Sequence, residues 1–89
     1  MRVWEAGDYA SSGRLRLVER PDPVPGEGEA LLRVRATGPN ARDFSILRDG
    51  MWTGRPAAAD FVPLCDVGAD VVAVGPGVTS VAPGDRVTM

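Results

Sequence analysis

Histidine and lysine are absent from this chain of 89 residues, and cysteine occurs once, at Cys65. Without histidine no imidazole can activate that thiol as a nucleophile, and a lone cysteine cannot close an internal disulfide, so a reducing cytoplasm is the expected setting. No apolar run approaches the roughly 20 residues of a membrane span. A basic segment followed by an apolar one is also missing at the start, so export through a signal peptide is not expected. All ten cations are arginine, scattered from Arg2 to Arg86 among twelve acids, for a formal charge of -2. Nucleic-acid binders show a basic face or stripe, and this interleaved pattern excludes nucleic acid as a partner.

What is present describes a small globular unit. Hydrophobic residues make up 44% and charged residues 25%, close to the globular average, which argues against disorder. A chain this short hides only about two-thirds of its unfolded surface, so one domain over residues 1–89 with a small core is expected. Met1 to Trp4 reads as an opening strand. Leu15 and Leu17 alternate with Arg14 and Arg16 in a half-buried second strand, with Gly7 to Gly13 as the loop between them. Pro21 to Gly28 holds three prolines that lack amide donors and is read as an extended surface crossing. Ala30 to Ala36 alternates Leu32 and Val34 with Arg33 and Arg35, a third strand.

Asn40 to Arg48 is the one helical candidate, with Asn40 as N-cap, Asp43 in the first turn, Phe44 and Leu47 on one face, and Asp49-Gly50 as the stop. Met51 to Phe61 shows no period and is expected to be a mobile loop. Near the end, Val71 to Val74 is a continuous apolar run that fits a strand covered on both faces, bounded by the turn Gly75-Pro76-Gly77. Pro83-Gly84 then re-aims the backbone into a last strand that opens on the opposite-charge pair Asp85-Arg86. Short strands, frequent Gly/Pro turns and one short helix predict a mainly β, mostly antiparallel partial barrel.

Pro63-Leu64-Cys65-Asp66, the run Val71 to Val78 and Gly84-Asp85-Arg86-Val87 stand in a telling order. It resembles the N-terminal, GroES-like domain of the medium-chain dehydrogenase/reductase superfamily, in its zinc-free quinone oxidoreductase-like and alcohol dehydrogenase-like branch. Members carry P-L-S-D, then V-V-A-V-G-x-G-V and G-D-R-V. The resemblance implies a GroES-like barrel, and it covers only the opening part of a family enzyme, before a nucleotide-binding Rossmann domain.

It also implies a site. The tetrad Asn40-Ala41-Arg42-Asp43 falls where the family meets substrate and nicotinamide, so Asn40 and Asp43 are the catalytic candidates and Asn40 also the cofactor-binding one. Arg42, Trp52, Cys65 and Asp66 fall on the substrate side. Zinc-dependent members place a cysteine at Asn40 and a histidine at Cys65, and that tetrahedral ligand set cannot be assembled here, so no zinc is expected. Both a cap and a substrate-bonding amide remain open for Asn40. For Asp43 the alternatives are a helix-start acid paired with Arg42 or Arg86, or proton transfer. Cys65 reads as a buried small hydrophobe, and Trp52 as a pocket aromatic or a core plug. Against the family pattern, Ala41 replaces an aromatic, one extra residue lies between Asp43 and Gly50, and Val67-Gly68-Ala69 replaces a G-A-G run.

The implied function is the substrate-side portion of a zinc-free NAD(P)H-dependent oxidoreductase that reduces a quinone, enoyl or carbonyl compound. NADP(H) would be the cofactor and a small molecule the substrate, with no turnover by this chain alone. The alternative is a stand-alone GroES-like interaction or small-ligand module. Gly75-Pro76-Gly77 lacks the third glycine and the following helix of a dinucleotide fingerprint, so it is read as a turn. An uncovered strand face or edge near Val71 to Val74 and Val87 leads to the expectation of a homo-oligomer.

Overall fold

The computed structural model describes residues 1–50, 54, 55 and 57–89. In chain order the elements are β1 (Arg2–Glu5), α1 (Tyr9–Ser12), β2 (Arg16–Glu19), β3 (Ala30–Gly38), α2 (Ala41–Phe44), a π turn (Ser45–Asp49), β4 (Asp66–Val74) and β5 (Arg86–Thr88). Every strand pairing is antiparallel, as the mainly β reading predicts. No helix among the described residues is long and apolar enough to cross a membrane. The chain divides into two compact units, Met1–Pro21 with Pro39–Cys65, and Asp22–Gly38 with Asp66–Met89.

In the first unit β1 and β2 pair with Val3 opposite Val18, Trp4 opposite Leu17 and Glu5 opposite Arg16. The strands lie where the sequence places them, but their inward face is the other one. Trp4 is 56% and Leu17 47% exposed, and Leu15 also reaches solvent, whereas Glu5 is buried. The cause is ionic. Glu5 accepts from Arg16 Nε and Nη2 at 3.2 and 3.1 Å through one oxygen, and from Arg20 Nε at 2.8 Å and Arg20 Nη2 through the other. A buried carboxylate needs such partners, so it draws both arginines to its own face and turns the leucines outward.

The stretch Gly7 to Gly13, read as loop, contains the single turn α1. Asp8 carbonyl oxygen accepts from the Ser12 hydroxyl at 2.9 Å, and Gly13, with φ 65°, closes the turn by donating to Tyr9 O at 2.7 Å. Main-chain bonds from Ala6 N to Phe61 O (2.8 Å) and from Gly7 N to Ala59 O (2.7 Å) tie this region to the segment before Pro63. Ala6 and Leu47 are buried in this unit.

The helical candidate forms as α2 and then widens. Gly50 N donates to Ser45 O five residues back, at a left-handed C-cap of φ 63°. An i to i+5 closure holds one more residue than an α turn, which accommodates the extra residue that the sequence carries between Asp43 and Gly50. The widening also breaks the expected apolar stripe, since Leu47 is buried while Phe44 is 51% exposed. Part of the Met51 to Phe61 loop lies outside the described residues, as do Met51, Trp52, Thr53 and Pro56 themselves.

The second unit is the sheet β3-β4-β5. Residues 22–26 run without regular structure, as their prolines require, and a turn at Glu27-Gly28 leads into β3. Two register shifts, between Leu31 and Leu32 and between Val34 and Ala36, bend the β3-β4 ladder. β4 begins at Asp66, five residues ahead of the apolar run, because its polar half pairs with Ala36 to Gly38. The run is not covered on both faces: Ala69 and Val71 are buried, but Val72 is 42% exposed. Val72 is the residue skipped in the ladder between Val71 and Ala73, which turns it toward solvent. Gly75 N reaches back to Glu29 O at 2.8 Å and Gly28 N to Pro76 O at 2.9 Å, confirming a tight turn. Asp85 and Arg86 do not pair. Asp85 Oδ2 accepts from Ala82 N at 2.9 Å within the Pro83-Gly84 turn, and Arg86 crosses to Asp70.

Candidate functional site

Asn40 enters α2 in an extended conformation, and its Oδ1 accepts from Arg42 N at 2.9 Å. Asp43 completes a capping box by accepting from Asn40 N at 2.8 Å through Oδ2. Its other oxygen, Oδ1, accepts from Leu64 N at 3.0 Å. Asp43 is 4% exposed, so its carboxylate is a buried anion held by two main-chain donors. The structure thus answers the pairing expected with Arg42 or Arg86 differently: amides, not guanidinium groups, take both Asp43 oxygens in the printed geometry.

Leu64 is the single non-glycine residue with positive φ, at 75°, among the described residues. A leucine in the left-handed region costs about 1–2 kcal/mol, so its place must be imposed by neighbours. The bond from Leu64 N to buried Asp43 is such an imposition, and it aims the next residue, Cys65. Arg42 Nη1 donates to Cys65 Sγ at 3.5 Å. Cys65 is half-buried and bonded to a guanidinium, which corrects its reading as a buried hydrophobe. Nothing about Pro63-Leu64 announces a positive φ in the sequence, and Leu64 was not among the expected site residues.

The geometry therefore joins Asn40, Arg42, Asp43 and Cys65 in one cluster of the first unit. Asp66 opens β4 in the second unit, where it is exposed and its carbonyl accepts from Thr37 Oγ1 at 2.8 Å. Trp52 lies outside the described residues.

A second charged group stands on the three-stranded sheet. Asp70 Oδ2 accepts from Arg35 Nε at 2.7 Å, and Arg86 Nε lies 3.6 Å from its Oδ1. The hydrogen bond from Arg35, with the charge of Arg86 behind it, holds the Asp70 carboxyl below its ordinary value near 3.8. In the first unit, Glu5 is lowered from its ordinary 4.5 chiefly by the Arg20 hydrogen bond, with Arg16 adding to it.

Two groups implied by the sequence resemblance can be tested against these residues. Catalytic zinc requires imidazole or several thiolates, and the chain has no histidine and one cysteine, so the donor set does not fit. A dinucleotide pyrophosphate rests on a helix N-terminus after a glycine turn. Here the Gly75 turn closes onto Glu29, and no helical segment among the described residues exceeds five residues. The described residues do not form that cradle.

Comparison with known proteins agrees with the architecture. The chain is 36% identical over 88 residues to the chloroplastic quinone-oxidoreductase QR1 of Triphysaria versicolor and 40% identical over 78 residues to the trans-enoyl reductase FMN2 of Fusarium mangiferae. These matches take up 98% and 88% of this chain but 27% and 20% of those proteins. A solved structure of a mycobacterial quinone oxidoreductase superposes with a TM-score of 0.79 at 38% identity, over 99% of this chain and 27% of that one. The chain thus spans about a quarter of the length of these relatives. Residues 26–89 match the alcohol dehydrogenase GroES-like domain, and on that match and these relatives the chain belongs to the GroES-like domain family of the medium-chain dehydrogenases/reductases.

Proposed function

We propose that this chain is the substrate-side portion of a zinc-free, NAD(P)H-dependent oxidoreductase acting on a quinone, enone or related carbonyl compound. The observation that carries the reading is the rigid seat of Asn40, whose main chain and side chain are both fixed by the capping box with Asp43. In this reading the Asn40 amide orients the substrate oxygen. Arg42, braced beside Cys65, places positive charge where negative charge develops on that oxygen during reduction. Asp43 acts as a positioning residue, since its oxygens are engaged with main-chain amides. Cys65, Asp66 and Trp52 complete the substrate side. The reducing equivalent belongs to a nicotinamide cofactor, whose pyrophosphate the described residues do not cradle, so the nucleotide-binding half lies in a part of such an enzyme that this chain does not encode. The relatives named as a quinone oxidoreductase and an enoyl reductase support the substrate class.

A chimera tests this. Residues 1–89 are placed in the mycobacterial quinone oxidoreductase in exchange for its matched segment, and NADPH-dependent reduction of a quinone and an enone is followed. Activity is expected, with Asn40→Ala lowering kcat by about 10- to 100-fold and a chelator leaving it unchanged. A chimera that folds and binds NADPH yet reduces neither compound overturns the reading. The missing phosphate cradle favours a second reading, a stand-alone binding module. That reading gains if the 89-residue chain itself binds a quinone or enone tightly while the chimera stays inactive.

A further inference from the structure

β5 is the edge of its sheet, and only β4 lies beside it. Its register, Gly68 opposite Thr88, Ala69 opposite Val87 and Asp70 opposite Arg86, runs without a shift. Met89 N donates to Val67 O at 2.9 Å and Val67 N to Met89 O at 3.2 Å, while Val71 N donates to Asp85 O at 2.8 Å. Antiparallel ladders alternate, so Asp85, Val87 and Met89 direct their amides and carbonyls toward β4, and Arg86 and Thr88 direct theirs away. Among the described residues no main-chain partner meets those outward groups. Arg86, Thr88 and Met89 are exposed, so the edge is accessible. The opposite edge, on β3, differs: two register shifts interrupt it, which is a common way of blunting an edge.

The face beside β5 has a defined charge pattern. Arg35 holds Asp70 tightly at 2.7 Å, whereas the Arg86 side chain is 88% exposed and only 3.6 Å from the same carboxylate. Two guanidinium groups thus share one carboxylate. Between them runs a groove of about 330 Å³ floored by Ala36, Gly68, Ala69 and Val87. An antiparallel strand laid along β5 would form ladder bonds with Arg86 and Thr88, and its residue opposite Arg86 would point to this same face. An acidic side chain there supplies the second carboxylate.

We propose that the outer edge of β5 is a strand-addition site for a protein partner presenting an extended segment with an acidic residue opposite Arg86. Charge decides this occupant over a second copy of the chain. Pairing of two β5 strands about Val87 sets Arg86 against Thr88 of the other copy and brings no acid to Arg86.

The test titrates the whole chain with the blocked pentapeptide Thr-Val-Glu-Val-Thr and follows amide resonances by NMR. The Arg86 and Thr88 amides are expected to shift saturably and to gain exchange protection. The same peptide with glutamine in place of glutamate binds about threefold more weakly, the size of a partly exposed ion pair. Arg86→Gln removes that discrimination but keeps binding. Thr88→Pro deletes an outward donor without touching the β4 ladder and abolishes binding. The proposal fails if millimolar peptide leaves these two amides unmoved, or if the glutamate and glutamine peptides bind alike. It also fails if the resonances move with protein concentration alone, which would give the edge to a second copy.

Discussion

Asp43 accepts the main-chain amide of Leu64, 21 residues further along, at 3.0 Å. One buried carboxylate therefore both caps α2 and holds a leucine in the left-handed region at φ 75°, immediately before Cys65. Helix start and Cys65 loop are coupled through it, so damage at either end should be felt at the other.

Asp43→Asn tests the coupling. The amide keeps a single acceptor oxygen, so one of the two donors loses its partner in a buried place, at a cost of about 1–3 kcal/mol. Chemical denaturation should show this loss, and the Cys65 resonances should shift in the folded state. Asn40→Ala removes only the cap, for about 1 kcal/mol. Equal effects of the two substitutions would mean that the Leu64 bond contributes nothing.

Leu64→Ile conserves volume but puts a β-branched residue at positive φ, and should destabilise by about 1 kcal/mol or more. Leu64→Gly removes the backbone strain and offsets part of the side-chain loss, so it should cost less. The reverse order of the two melting temperatures would contradict a left-handed Leu64.

The ion cluster of Glu5 with Arg20 and Arg16 makes stability depend on pH. Folding lowers the Glu5 pKa, chiefly through the Arg20 hydrogen bond, so the folded state favours the ionised form. The resulting stabilisation is complete above the ordinary value of 4.5 and disappears as pH falls through the lower folded value. Thermal melts should therefore weaken with acidification below about pH 5. Glu5→Gln should melt lower at neutral pH and show a flatter acid limb, whereas an unchanged limb would remove Glu5 from the account.

Two glycines of one turn should respond differently. A Cβ at Gly75 would collide with the Gly26 carbonyl, so Gly75→Ala should cost about 1–3 kcal/mol or move the turn. Gly77 has open space but φ 80°, and Gly77→Ala should cost about 1 kcal/mol from backbone strain alone. Denaturation midpoints that rank Gly77→Ala as the worse would refute the close approach of Gly75 to Gly26.

Metal content offers a last check. The purified chain should retain no stoichiometric zinc after dialysis against a chelator, because neither Asn40 nor the single thiol of Cys65 can replace the missing imidazole. One tightly held zinc per chain in elemental analysis would defeat the zinc-free reading.

Local chemistry carried much of this protein's description. The proline run, the Asn40 cap, the Gly50 stop and the Gly75 turn are decided by residues a few positions apart, so they are legible in the chain itself. The same holds for the mainly β class and for the zinc donors, which are a matter of residue type. Tertiary structure decided which face of each strand is covered, because that depends on partners distant in sequence. Leu17 faces solvent since Arg16 and Arg20 converge on Glu5, and Val72 is exposed because a ladder shift skips it. It also decided the site's key contact. Asp43 looked like a helix-start acid, and only folding brings the Leu64 amide to its second oxygen, in a backbone conformation that no local signal encodes.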